Sequence, residues 1–221
     1  MVVLLYGAAG RVGPLTAELI IGRGQIDGGE GPGWQVRWRV TQDDPRYRWE
    51  LIDHVGRPGR RSHTPASMLV GDGEREWAVH PDRVVVRPYR GCLLADQLLD
   101  PSWLLGRYDL AIAAEMATAN GRHAVTITGR RKTVRRGGDG APESVEAVVD
   151  AERGFLHRFA GIGTGSPVET IELRHLRLDT PIDNTAFTVE PSEGLGWQDR
   201  TSARHHHVTG RVGRWGRRAG V

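Results

Sequence analysis

A chain of 221 residues with one cysteine, Cys92, can bury an ordinary core but excludes a disulfide framework, and no partner stands near Cys92 at metal-ligand spacing. The net charge of +3 is concentrated at the end, where residues from Asp199 onward hold six arginines against one acid, so basicity does not mark the body of the chain as a specific nucleic-acid binder. Lys132 is the only lysine, an arginine bias that points to GC-rich coding rather than to a function.

At the amino end, Val2 to Tyr6 followed by Gly7-Ala8-Ala9-Gly10-Arg11-Val12-Gly13 has the outline of the first strand and phosphate loop of a dinucleotide-binding domain. Glycines in such a loop let the backbone approach a pyrophosphate at a helix N-terminus. The context fails the motif: no acidic residue closes a second strand about 20 residues further on, Asp43 comes too late, and hairpins follow where crossover helices are needed. An NAD(P)-binding enzyme is therefore the least favoured alternative. The spacing predicts instead an amphipathic helix, Pro14 to Gly22 or longer, packed on the concave side of a sheet and followed by a glycine-rich loop, Gly28 to Gly33. Arg11 and Pro14 interrupt the apolar run and no basic residue precedes it, so it does not read as a secretory signal. The expectation is a cytoplasmic protein, or an exported or membrane-associated one if translation starts elsewhere.

From Trp34 onward the period changes to two, the repeat of a strand whose successive side chains point to opposite faces. Trp34, Val36, Trp38 and Val40 fall on one face against Gln35, Arg37, Arg39 and Thr41 on the other. After the turn Asp43-Asp44-Pro45, residues Tyr47, Trp49 and Leu51 point inward and Arg46, Arg48 and Glu50 outward. Apolar inside and charged outside is the pattern of an antiparallel sheet with one solvated face. Further strands are expected at Ser67–Val70, Arg75–His80 around Trp77, and Asp82–Pro88 with Val84 and Val86, with Asp72-Gly73 as a hairpin turn. Leu93, Leu94, Gln97 and Leu98 then follow helical spacing. Asp100-Pro101 caps a second short helix with Trp103, Leu104 and Leu105, which Gly106 ends.

Strands resume at Leu110–Glu115, His123–Lys132, Ser144–Asp150, Phe155–Ala160, Glu169–Leu178 and Phe187–Val189, separated by turn chemistry such as Asn120-Gly121 and Arg153-Gly154. About ten strands joined by short turns should curl, because a twisted antiparallel sheet of that size rarely stays flat. The expected fold is mainly β with a few helices: a curved antiparallel sheet forming an incomplete half-barrel closed by helices. Residues 1–33 would form an N-terminal helix and glycine-rich loop, 34–195 the half-barrel, and 196–221 a disordered basic tail, too poor in apolar residues to offset the entropy of ordering it. That tail offers a contact for an acidic partner or an anionic surface. Its histidines, His205 to His207, lack the carboxylate or thiolate companions of a structural metal site.

No catalytic constellation emerges. His54, His63, His80, His123, His157 and His175 are scattered, Asp96 and Asp100 are explained as a solvated residue and a cap, and Ser102 has no Gly-x-Ser-x-Gly elbow. Neither catalytic, cofactor-binding nor metal-binding residues are assigned, and the protein is not expected to be an enzyme.

Three motifs in order carry a resemblance. The run Asp44-Pro45-Arg46-Tyr47-Arg48-Trp49, the hairpin Leu69-Val70-Gly71-Asp72-Gly73-Glu74-Arg75-Glu76-Trp77 with His80-Pro81, and the ending Ala186-Phe187-Thr188-Val189-Glu190-Pro191 resemble the LolA-like lipoprotein carriers. Val148 to Phe159 is similar to the RseB-like sensor of envelope stress that shares their fold. The resemblance covers residues 34 to 195. It implies a half-barrel whose hydrophobic cavity takes up a lipoprotein acyl chain or a lipid. Burial of acyl tails in such a hollow would gain about 25 cal/mol per Å² of apolar surface. The expected lining is Trp34, Val36, Trp38, Tyr47, Trp49, Leu51, Trp77, Val84, Val86, Leu98 and Trp103; the same residues would serve equally as dry core. One departure concerns the residue before the strand-leading proline: the carriers place there an arginine that latches a lid through backbone carbonyls, whereas an ionised Asp44 cannot donate such bonds. The alternative to a carrier is a protein-interaction or sensory domain of the same fold.

Overall fold

The computed structural model describes residues 5, 8, 12–23, 33–56, 65–89, 97–132, 142–163, 166–190 and 195–199, without the side chains of 114–117 and 166–168. The strands are β1 Leu15–Arg23, β2 Trp34–Asp43, β3 Arg46–Gly56, β4 Met68–Gly71, β5 Arg75–Val79 and β6 Arg83–Pro88 in the first half. The second half holds β7 Tyr108–Ala119, β8 Arg122–Arg131, β9 Ser144–Asp150, β10 Leu156–Gly163, β11 Ser166–Leu178 and β12 Gly196–Asp199. A short helix, α1, spans Trp103–Arg107, residues 97–99 are helical, and a 3-10 turn covers Asn184–Phe187.

All twelve strands join one curved, open sheet in the order β12-β6-β5-β4-β3-β2-β1-β11-β10-β9-β8-β7. Every pairing is antiparallel except that of β12 with β6. The chain therefore starts at the centre and lays β2 to β6 outward to one side. It then crosses to the far edge and returns inward from β7 to β11 until β11 closes against β1. The crossing segment carries α1. Leu98, Leu99 and Leu104 bury themselves in one core with inward residues of both halves, among them Leu19, Trp38, Ile127, Ala147, Phe159 and Ile171. The expected open antiparallel sheet with a helical insert is what the chain forms, and a doubly wound dinucleotide fold is not.

Three expectations are corrected. Leu15–Arg23 is a strand rather than a helix, and it is the strand on which the two halves meet. Its residues satisfy both periods, because Leu15 and Leu19 stand four apart while Leu15, Ala17, Leu19 and Ile21 also alternate. With β2 and β11 on its flanks, extended backbone finds a ladder on both sides, interrupted only by a bulge against β11 between Thr16 and Glu18, and Ile20 is buried on the outer face as well. Phe187–Val189 is not a strand: Asp183 accepts from Thr185 N at 2.8 Å and Thr185 Oγ1 at 2.7 Å, which turns the chain into the 3-10 element. Finally, α1 begins after Ser102 rather than at Asp100, whose carboxylate accepts from Ser102 N at 3.3 Å, and it runs on through Gly106 to Arg107. The sheet also reaches beyond residues 34–195 at both ends, through β1 and β12. The Gly28–Gly33 loop up to residue 32, most of Gly7–Gly13, the helical positions Leu93 to Asp96 and the tail from Arg200 lie outside the described residues.

Turn chemistry follows the sequence more closely. Asn120 and Gly121 both take positive φ, 51° and 74°, which matches the right-handed twist of the strands they join. The Asp72 carboxylate accepts from the backbone N–H of Glu74 and of Arg75, each at 2.7 Å, and so shapes the β4–β5 turn.

Candidate functional site: the inner aromatic face

Register sorts the expected lining residues. Trp38 stands opposite Leu19 on β1, Val40 opposite Trp49 on β3, Trp49 opposite Leu69 on β4, and Tyr47 opposite Gly71. Directly paired residues share a face, so Trp34, Val36, Trp38, Tyr47, Trp49 and Leu51 all point inward. The rings form a chain: Trp38 to Trp49 at 6.2 Å between centroids, Tyr47 to Trp49 at 5.8 Å, Tyr47 to Tyr89 at 6.1 Å. A Cβ on Gly71 would collide with the Tyr47 ring, so glycine there makes room for the tyrosine against β4.

The insert meets this face from above. Trp103 stands edge-on to Phe159 at 5.4 Å, its indole N–H donates to Gln97 O at 3.0 Å, and the Arg107 guanidinium lies 5.6 Å over its ring. Lys132 donates to Leu105 O at 2.7 Å, tying α1 to the end of β8. Val36, Trp38, Tyr47, Trp49 and Leu98 are buried, while Trp34, Leu51 and Trp103 are half-buried around them. Eight of the eleven expected residues are therefore brought together.

The other three are not. Trp77 pairs with Val70 and Val86, and Val79 with Val84, which places Trp77, Val84 and Val86 on the opposite face from Trp49. There Val70, Val84, Val86 and Phe187 are buried apart from the main core. The C-terminal segment docks on the outer side of β3: Arg46 lies 4.7 Å over the Phe187 ring and donates to Asn184 Oδ1 at 2.6 Å, and Arg48 donates to Ala186 O and Thr188 O at 3.3 and 3.4 Å. Strand parity shows which residues of β5 share a face but not which face is the inner one, because the outer face here carries an apolar cluster of its own.

Sequence reasoning also missed Glu76, which faces inward in β5 and is almost fully buried. Its carboxylate accepts from the Tyr47 hydroxyl and from Arg87, so the charge is paired where the aromatic face ends. The alternation that assigned Trp77 inward hid it.

A second polar cluster lies at the β9–β10 turn. Asp150, fully buried, accepts from the backbone N–H of Glu152 at 3.0 Å and Arg153 at 2.8 Å and from Arg122 Nε at 2.5 Å. His157 Nε2 is 3.3 Å from the same carboxylate, and Nδ1 is 3.1 Å from Asn120 Nδ2, which also donates to Leu173 O at 2.9 Å. Burial pushes Asp150 up, but the bonds from Arg122 and the two backbone N–H groups outweigh it and hold the carboxyl below its ordinary value. Burial pushes the His157 imidazole below its ordinary 6.5, against the pull of Asp150. A neutral imidazole whose Nδ1 accepts from Asn120 fits this surrounding, with Nε2 close to the carboxylate but not hydrogen-bonded to it. Unfolded chains bind a proton near pH 6.5 that the folded chain refuses, so His157 contributes stability above that pH and loses it as pH falls. The thermal midpoint of the wild type should therefore drop as pH falls below 6.5, and His157→Asn should flatten that fall, as differential scanning fluorimetry would record. The cluster ties β8, β9, β10 and β11 together. Among the described residues no group of His, Cys, Asp and Glu could hold a metal ion, and no helix is long and apolar enough to cross a membrane.

An open antiparallel sheet wrapped around a helical insert is a fold that solved structures share. Among solved structures, MucB has this fold: TM-score 0.50, 16% identity, over 85% of this chain and 60% of the MucB chain. An uncharacterized conserved protein from Thermus thermophilus is similar at TM-score 0.51 and 14% identity, over 87% of this chain and 97% of its own. A looser likeness, TM-score 0.36 and 12% identity over 85% and 96% of the two chains, reaches a LolA superfamily protein from Nitrosomonas europaea. No family model and no curated protein matches the sequence.

Proposed function

We propose that the protein binds a hydrophobic ligand, the acyl chain of a lipoprotein or a lipid, between the inner aromatic face and the helical insert, and catalyses no reaction. The observation that carries this reading is the convergence of Trp34, Val36, Trp38, Tyr47, Trp49 and Leu51 from two strands with Leu98 and Trp103 from the insert. Aromatic and aliphatic groups gathered between a curved sheet and a short, tethered insert suit an occupant that shuns water. To test it, protein purified without detergent is extracted and analysed by mass spectrometry, and the delipidated protein is titrated with 1-N-phenylnaphthylamine. Co-purifying lipid and saturable fluorescence are expected. A clean extract together with a linear titration would reject the reading.

The second reading is a partner-binding domain of the same fold. It is supported by the likeness to MucB and by the β9–β10 hairpin, where Asp150 orders the stretch that resembles the RseB-like sensor. Capture of one protein partner that residues 199–221 are needed to retain would favour it over lipid uptake.

A further inference from the structure

The Trp49 indole N–H carries more than packing. Trp49 is 5% exposed, its Nε1 is wholly covered, and that atom has no hydrogen-bond partner among the described residues. The neighbouring polar aromatics differ: Tyr47 O–H donates to Glu76, Tyr89 O–H to Pro45 O at 2.6 Å, and Trp103 Nε1 to Gln97 O. Trp49 instead sits between the rings of Trp38 and Tyr47, with Val40 and Leu69 opposite it across the strands, and none of these offers an acceptor suited to it. Buried donors in folded proteins almost always find an acceptor, and an indole nitrogen can only donate. A phenylalanine would fill the same kind of place without the orphaned donor.

We propose that Trp49 Nε1 is a recognition point for an acyl carbonyl: the ligand is an ester or amide of a long-chain fatty acid, whose carbonyl oxygen accepts from the indole while its chain lies along the inner face. This rests on the reading of the inner face as a hydrophobic-ligand site and adds to it the polar contact that fixes the ligand there, between the Trp49 indole and a carbonyl. Because Nε1 is covered, the carbonyl reaches it only as the side chains over the rings part. Glycerides and acylated peptides carry the same carbonyl, so both sources satisfy the chemistry.

The experiment uses the full chain and a pair of ligands that differ in one group. Displacement of 1-N-phenylnaphthylamine is measured with 1-palmitoylglycerol, which has an ester carbonyl, and with 1-O-hexadecylglycerol, its ether counterpart. The ester is expected to bind about tenfold tighter, the order of one hydrogen bond to an otherwise unpaired buried donor. Trp49→Phe trims the apolar face and so should weaken phenylnaphthylamine and both lipids alike, but it should bring ester and ether to equal affinity. In the wild type labelled with 15N-tryptophan, the ester but not the ether should move the Trp49 indole N–H resonance downfield, a readout that holds even if the variant folds poorly. Equal binding of ester and ether by the wild type, or an unmoved Trp49 resonance with bound ester, overturns the proposal while leaving hydrophobic binding intact. Failure of phenylnaphthylamine and both lipids to bind overturns the parent reading and this one together. An N-palmitoylated glycine peptide, run alongside, separates the sources: tighter binding than the glyceride assigns the carbonyl to an acylated peptide.

Discussion

Asp150→Ala is expected to lower the unfolding free energy by about 3 to 5 kcal/mol, the cost of breaking a buried ion pair by removing one partner. Three effects act in the same direction. The β9–β10 turn loses the acceptor for the N–H groups of Glu152 and Arg153, the Arg122 guanidinium loses its strongest partner, and His157 Nε2 is left facing an apolar gap. Arg122 keeps a contact with Glu152 at 2.8 Å and about a quarter of its side chain is exposed, so water recovers part of the loss and the lower end of the range is favoured. Asp150→Asn preserves an oxygen for the turn and should cost less, isolating the share that belongs to charge. Urea titration of both variants checks this, and a loss below about 1 kcal/mol for Asp150→Ala would mean that the turn is held by other bonds. Because the folded carboxyl titrates below its ordinary value, its contribution is present above about pH 4 and fades as pH falls further.

Trp38→Ala is the other large change, with an expected cost of about 3 to 5 kcal/mol from lost transfer energy and the cavity left behind. Trp38 sits in the second of three adjacent strands, opposite Leu19 on one side and Leu51 on the other, with its ring against Trp49. β-Sheet backbone on both flanks cannot collapse into the gap, which keeps the cavity open. Chemical denaturation measures that loss. Trp38→Phe should retain the fold and weaken phenylnaphthylamine binding. Trp77→Ala, on the outer face, should cost stability as well but leave that binding unchanged. If Trp77→Ala abolished probe binding and Trp38→Phe did not, the ligand face would have been placed on the wrong side of the sheet.

What the residues determine by themselves is the local geometry of the hairpins. In β2 and β3 the charges alternate so strictly with Trp, Tyr and Val that one face alone can meet an apolar core, and Asn120-Gly121 and Asp72-Gly73 admit little but tight turns. From these the antiparallel sheet, its inner aromatic face and the helical insert follow. Three features required the tertiary structure. Leu15–Arg23 fits a helix and a strand equally, and only the presence of β2 and β11 on its two sides selects the extended form. Trp77 and Glu76 exchange the faces that their hydrophobicity suggests, because the outer face there carries buried valines of its own, Val70, Val84 and Val86, while Tyr47 and Arg87 pair with the carboxylate on the inner one. The solitary donor on Trp49 is likewise invisible in sequence, since whether an indole N–H finds an acceptor depends on which strands lie beside it. Hydrophobic alternation is a property of neighbouring residues and is written in one dimension, whereas the choice between two apolar faces, or between two permitted periods, is made by contacts that exist only once the distant halves of the sheet have met.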